Sequence, residues 1–175
     1  MIDDIHLRAR AVRLAIFDVD GILTDGRLHY TASGEEIKVF DVRDGHGLKM
    51  LQASGIDLAI ITSRKSQGVA RRAADLGIDH VFQGVEEKLA TFETLAARLA
   101  LQPAQCAYMG DDWVDLPVLT RCGFAVSVPD APAAVRQRVH YVTTAEGGRG
   151  AVREACELIM HAQGTFASHL ARFIA

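Results

Sequence analysis

The feature that most restricts the fold is an alternation. Short apolar runs bounded by turn residues recur at residues 13–17, 56–61, 80–82, 106–109, 124–126 and 141–142, and each reads as a buried strand. Between and after them lie segments of helical period, at residues 45–54, 65–76, 86–101, 112–121, 132–138 and 149–162. Strands that alternate with helices cannot pair as hairpins, so the pattern predicts an α/β fold with a doubly wound, mostly parallel sheet covered by helices on both faces. Met50, Leu51, Leu95 and Leu99 fall at helical spacings and belong to its core.

One stretch breaks the alternation. In RLHYTASGEEIKVF, residues 27–40, Leu28 and Tyr30 alternate with polar residues, and Ile37 and Val39 do so again after a TASGEE turn. That is a β-hairpin, inserted where an α/β unit needs only a short loop. It is either a surface decoration or a contact between subunits.

At 175 residues the chain fits a single domain, residues 1–175. Its 19 basic and 22 acidic residues include no basic block, which argues against a nucleic-acid partner. Cys106, Cys122 and Cys156 have no paired or metal-ligand spacing and read as buried thiols. The opening MIDDIHLRARAVRLAIF begins with acids and holds no uninterrupted apolar stretch, and no run reaches membrane-spanning length. The sequence therefore predicts a cytoplasmic protein with no membrane partner.

Ligands of a parallel sheet gather beyond the carboxyl ends of its strands. Four polar clusters lie at such ends. Asp18 and Asp20 follow the first strand, and Thr62, Ser63 and Arg64 follow the second. Lys88 comes after the third, and Gly110, Asp111, Asp112 and Asp115 follow the fourth. Thr62, Ser63, Asp111 and Asp112 would each also serve as helix caps, and Lys88 as a solvated helix residue. Taken together, converging carboxylates need a cation, and hard oxygen ligands favour Mg²⁺. A lysine, a hydroxyl and helix N-termini beside that cation match a dianionic phosphoryl group. The inventory is that of phosphoryl transfer, with a carboxylate able to form an aspartyl-phosphate.

These residues carry a resemblance. DVDGILTDG at residues 18–26, the hydroxyl of Thr62, Lys88 and GDDWVD at residues 110–115 resemble the four ordered motifs of the haloacid dehalogenase (HAD) superfamily, and no gap between them could hold a cap domain. The chain is similar to the capless group of that superfamily, and within it to the 3-deoxy-D-manno-octulosonate 8-phosphate (KDO 8-phosphate) phosphatase family. The finer likeness rests on DVRDGHGLKML from Asp41, ITSRKS from Ile61, FQGVEEK from Phe82, GDDWVDLPVL from Gly110 and GGRGAVREACELIM from Gly147. Ser63 stands where that family usually has glycine.

The resemblance implies a HAD-like Rossmannoid fold without a cap, and a Mg²⁺-dependent phosphatase of a phosphorylated sugar acid in lipopolysaccharide precursor biosynthesis. It gives Asp18 the role of nucleophile and Asp20 that of general acid and base. Mg²⁺ falls to Asp18, Asp20 through its backbone carbonyl, and Asp111. Phosphate falls to Thr62 and Lys88, with Ser63 at the same rim, and the sugar carboxylate to Arg64. Asp112 and Asp115 either orient Lys88 and metal-bound water or cap a helix, and Arg149 touches substrate or a neighbouring subunit or neither. The family resemblance also implies a homotetramer joined through the hairpins, with the tail at residues 164–175 reaching a neighbour or packing on its own subunit. A phosphatase of nine-carbon keto-sugar-acid 9-phosphates is the alternative enzyme, although such enzymes carry glutamate where Arg64 stands. A receiver-type signalling domain is the alternative of another class, but it carries its phosphorylated aspartate after the third strand and its acidic pair after the first, whereas here the DxD comes first and the acidic pair follows the fourth.

Overall fold

A computed structural model of the chain describes residues 2–174. The chain opens with helix α1 (Ile2–Arg10), then strand β1 (Leu14–Phe17), a two-stranded hairpin of β2 (His29–Tyr30) and β3 (Glu36–Ile37), and α2 (Val42–Ala53). There follow β4 (Asp57–Thr62), α3 (Gln67–Leu76), β5 (His80–Gln83), α4 (Lys88–Arg98) and β6 (Cys106–Met109). Short helix α5 (Leu116–Leu119), β7 (Phe124–Ser127), α6 (Ala133–Arg136), β8 (Tyr141–Val142), α7 (Ala151–Gln163) and α8 (Phe166–Ile174) complete it.

All six expected strands form, and they make one sheet in the order β5-β4-β1-β6-β7-β8 with every pairing parallel. Strand order runs outward from β1 in one direction and resumes at β6 in the other, so the topological switch point lies between β1 and β6. Right-handed crossovers then put α2 and α3 on one face and α4 to α6 on the opposite one. Packing agrees: α2 lies against α3 and α7, and α4 against α5. The four central strands are buried because both faces are covered, with Leu14, Ile16, Ile60, Ile61, Tyr108 and Phe124 fully enclosed, while the edge strands β5 and β8 are half-buried.

Register sets the level of the functional edge. Phe17 is paired with Ile60 on one side and Met109 on the other, so the chain leaves the sheet at Asp18, Thr62 and Gly110 within about two residues of one height. The loop after β1 is braced by the turn before α7. The Gly148 amide donates to the Ile22 carbonyl at 2.8 Å, and a Cβ on Gly147 would lie 1.8 Å from the Gly21 carbonyl oxygen. Only glycine permits that backbone-to-backbone approach.

Three features depart from the periodicity. Residues 112–121 form a 3₁₀ turn, Trp113–Asp115, and one turn of α5 instead of a continuous helix, with Pro117 in its first turn. Helix α1 was not expected from the charged opening segment. Residues 166–174 form helix α8, folded back on the domain: His169 is buried and hydrogen-bonded to the Ser54 hydroxyl at 2.8 Å, and Phe166 stacks on His161. No described helix is long and apolar enough to cross a membrane.

Candidate active site

A cavity of about 310 Å³ opens at the switch point, lined by Asp18, Asp20, Gly26, Thr62, Ser63, Arg64, Lys88, Asp111, Asp112 and Val114. Of the ten residues singled out at the strand ends, eight line it, the exceptions being Gly110 and Asp115. Arg149 does not; its guanidinium approaches Asp25 and Glu146 at 3.9 Å each.

The centre of the site is a buried lysine between two acids. Lys88 Nζ lies 2.7 Å from Asp18 Oδ2 and 2.7 Å from Asp115 Oδ1. Asp18 follows β1, Lys88 opens α4 and Asp115 ends the turn after β6, so three separate crossovers deliver this contact. Asp115 also accepts from the Tyr108 hydroxyl at 2.7 Å and from the Asp111 and Asp112 amides at 3.1 Å. Gly110 makes room for it, since a Cβ there would lie 2.5 Å from the Asp115 carboxyl carbon. The two roles left open for Asp112 and Asp115 are thus divided. Asp112 caps the turn, accepting from the Trp113 amide at 2.7 Å, while Asp115 both completes that cap and holds Lys88.

Burial and crowding raise two of the acids, Asp18 and Asp111. Burial, with the Asp115 charge, pushes Asp18 up to about 6 against the pull of Lys88. Burial, with Asp115 and Asp18, pushes Asp111 up to about 8. Burial pulls the Lys88 ammonium down, but its two carboxylates outweigh that and raise it. Asp111 Oδ1 is buried with no hydrogen-bond partner, and Asp18, Asp111 and Asp115 offer oxygens within 4.8 Å of one another. An unpartnered buried carboxylate oxygen beside two others is a donor set suited to a hard divalent cation. Because Asp115 is already engaged by Lys88, Tyr108 and two amides, Asp18 and Asp111 are the side chains with capacity for one. Gly21 accommodates this arrangement: its φ is +84°, and a Cβ would lie 2.1 Å from Asp111 Oδ2.

Asp20 does not join that cluster. Its carboxylate turns to the hairpin, where Oδ1 pairs with Lys38 Nζ, and Oδ2 is approached by Arg64 Nε at 3.7 Å. Lys38 also pairs with Glu36 at 3.2 Å, and Glu36 in turn pairs with Arg64, which the Tyr30 hydroxyl also approaches at 3.4 Å. The sequence reading missed Lys38, Glu36 and Tyr108. The first two were legible only as the polar half of an alternating strand, and Tyr108 lies inside an apolar run. The register explains the hairpin: Tyr30 is opposite Glu36 and His29 opposite Ile37, so Tyr30 and Glu36 share the face that meets Arg64. The two apolar pairs of the hairpin accordingly do not share one face.

The haloacid dehalogenase-like hydrolase model matches residues 34–123. The 3-deoxy-D-manno-octulosonate 8-phosphate phosphatase KdsC of Yersinia pestis is 48% identical over 161 residues, covering 92% of this chain and 86% of the relative. The enzyme of the same name from Escherichia coli K12 is 47% identical over the same shares. The crystal structure of the Moraxella catarrhalis phosphatase of that name, in complex with magnesium ion, phosphate ion and KDO, superposes with a TM-score of 0.97 at 46% identity, covering 99% of each chain. A cobalt-bound Haemophilus influenzae phosphatase superposes at 0.91 and 42% identity over 96% of this chain and 99% of that one. The placement of the acids is not that of a receiver domain, since the DxD aspartates Asp18 and Asp20 follow β1, the first strand of the sheet in chain order, and the acidic pair Asp111 and Asp112 follows β6, the fourth.

Proposed function

The chain belongs to the haloacid dehalogenase-like hydrolases, and on that premise we propose that it is a Mg²⁺-dependent phosphatase hydrolysing KDO 8-phosphate to the free sugar acid and inorganic phosphate. The observation that carries this reading is the buried bridge of Lys88 between Asp18 and Asp115, with the unpartnered Asp111 oxygen beside it.

Asp18 is the nucleophile. One of its carboxylate oxygens bonds to phosphorus as the bond from phosphorus to the sugar's 8-oxygen breaks, and Asp20 gives its proton to that oxygen, so the sugar leaves as an alcohol. Asp20, now ionised, takes a proton from water as the water oxygen bonds to the same phosphorus. The bond to Asp18 breaks, phosphate departs and the carboxylate is restored. Thr62 and Lys88 hold phosphoryl oxygens, with Ser63 at the rim, and Lys88 offsets the charge of Asp18. Arg64 pairs with the carboxylate of the sugar acid, and an arginine rather than a glutamate at this place favours the eight-carbon over the nine-carbon ester. Asp18, Asp111 and the Asp20 backbone carbonyl would hold Mg²⁺, which when bound supplies positive charge beside the transferring group.

The reading takes residues 1–175 as one domain in the cytoplasm, supplying a step of lipopolysaccharide precursor synthesis. Ile37 and Val39, exposed on the hairpin, support a homotetramer joined through residues 27–40, and Leu170 and Phe173 of the tail at residues 164–175 present further apolar surface.

Phosphate release from a panel of sugar phosphates, with Mg²⁺ and with EDTA, tests the reaction. KDO 8-phosphate is expected to have the highest kcat/KM, EDTA to abolish turnover, and Asp18→Asn to leave none. A higher kcat/KM for a nine-carbon ester, or turnover by Asp18→Asn, would overturn the assignment.

A further inference from the structure

The hairpin does more than present an outer surface. Along β3 and the residues after it, Glu36 and Lys38 occupy one face and Ile37 and Val39 the other, as strand alternation requires. The apolar members point to solvent, Ile37 at 48% and Val39 at 61% exposure, while the Lys38 side chain is only 2% exposed. A hairpin that merely packed on the domain would show the opposite arrangement, with its apolar side inward. This one turns a lysine in, against the carboxylate that follows the nucleophile by two residues.

Lys38 stands between Asp20 Oδ1 and Glu36 Oε1, and Glu36 is tied in turn to Arg64. Lys38 therefore fixes which oxygen of Asp20 is taken. Oδ1 is held by the ammonium, and among the described residues Oδ2 has only the 3.7 Å approach of Arg64 Nε, longer than a hydrogen bond. We infer that Lys38 is a positioning residue for proton transfer, holding Asp20 so that Oδ2 is the oxygen that delivers the proton to the leaving sugar. This rests on the assignment of Asp20 as general acid. The proton leaves Asp20 Oδ2 for the sugar oxygen as the phosphorus–oxygen bond breaks, and the carboxylate left behind faces the Lys38 ammonium. Arg64 stands at the same oxygen, so a sugar acid that draws Arg64 to its own carboxylate also clears Oδ2.

A residue that only anchors the hairpin and one that orients the acid differ in their dependence on the leaving group. An alkoxide needs protonation as it departs, whereas 4-nitrophenolate does not, and kcat/KM counts only the steps up to that departure. In Lys38→Met, kcat/KM for KDO 8-phosphate should therefore fall about 10²-fold further than kcat/KM for 4-nitrophenyl phosphate. Lys38→Arg should recover part of the difference. In an Asp20→Asn background Lys38→Met should change the ratio by less than about threefold, since the two act through one proton. Should Lys38→Met melt as an unfolded protein, Lys38→Gln, which keeps a donor toward Asp20, is read by the same ratio with an expected difference of about tenfold. Equal losses on the two esters, or none on either, in whichever variant is folded, would overturn the inference. Failure of the wild-type protein to hydrolyse KDO 8-phosphate would instead strike the assignment beneath it, and the aryl ester would still report whether the site transfers phosphoryl groups.

Discussion

Two charge networks meet at the cavity, and both place a buried lysine between two carboxylates. The inner one joins Lys88 to Asp18 and Asp115, and the outer one joins Lys38 to Asp20 and Glu36. Their origins differ. Each inner member follows a strand of the parallel sheet, so register alone brings them together. The outer network links two residues at strand ends, Asp20 and Arg64, to an insertion the sheet does not need. The inner network is closed, with Asp115 fully buried and satisfied by Tyr108 and two amides, while the outer one opens to solvent at Arg64, whose side chain is 46% exposed. On our functional reading the difference is a division of labour. Chemistry common to all phosphate monoesters sits on the rigid part, and discrimination among leaving groups sits where a hairpin can be altered without disturbing the sheet.

Replacing the inner lysine should give the largest effect that still separates the two networks. Lys88→Met removes a charge-stabilising donor that every ester uses, so kcat/KM should fall about 10²–10³-fold on KDO 8-phosphate and aryl phosphate alike. It also leaves Asp18 and Asp115 buried without their cation, a change expected to cost about 3–5 kcal/mol in denaturant unfolding. A leaving-group difference like that of Lys38→Met would erase the distinction.

This contrast also marks how far the sequence could be read. The six strands and the convergence of Asp18, Thr62, Lys88 and Asp111 were legible because apolar runs fix strands and parallel order fixes which ends meet. Asp115 was ambiguous from sequence, because an acid three residues into a turn satisfies both a cap and a lysine, and the structure has it doing both. Lys38 was not legible. Nothing in IKVF says which face of a two-residue strand turns inward, and the rule that apolar faces pack inward gives the wrong answer where the inner partners are acids. Helix α8 was hidden for a similar reason: its seating relies on contacts with residues far away in sequence, His169 bonding Ser54 115 positions earlier and Phe173 meeting His46 edge-on.

At the open end of the outer network the expected effect is smaller. Arg64 pairs with Glu36 in the structure, so a substrate carboxylate must compete with a resident one. Arg64→Ala should raise KM for KDO 8-phosphate about tenfold, the scale of one charged hydrogen bond, and leave the aryl ester within about twofold. Comparable losses on both esters would move Arg64 into the inner chemistry and blur the boundary between the networks.

The smallest expected effect is on stability, and here the networks should differ in sign with pH. Burial and neighbouring acids hold the Asp111 proton in the folded, metal-free protein up to about pH 8, whereas an unfolded aspartate loses it near 3.9. Over that interval the folded state binds the extra proton. Stability from this group is therefore full below about pH 4 and is lost as pH rises through about 8. Asp18, raised to about 6, adds the same sign lower in the range. Glu36 runs the other way: its hydrogen bond from Arg64, with Lys38 nearby, depresses its carboxyl, so its contribution is present above the usual glutamate value and is lost as pH falls through the depressed one. Thermal melting in EDTA should thus show Tm declining between pH 5 and 8.5, and Asp111→Asn should flatten the upper part of that decline. Saturating Mg²⁺ should flatten it as well, because a cation held by Asp111 takes the place of the proton. An identical slope in wild-type and Asp111→Asn protein would show that the inner cluster is not where the excess proton is held, and the opposition of sign between the two networks would fall with it.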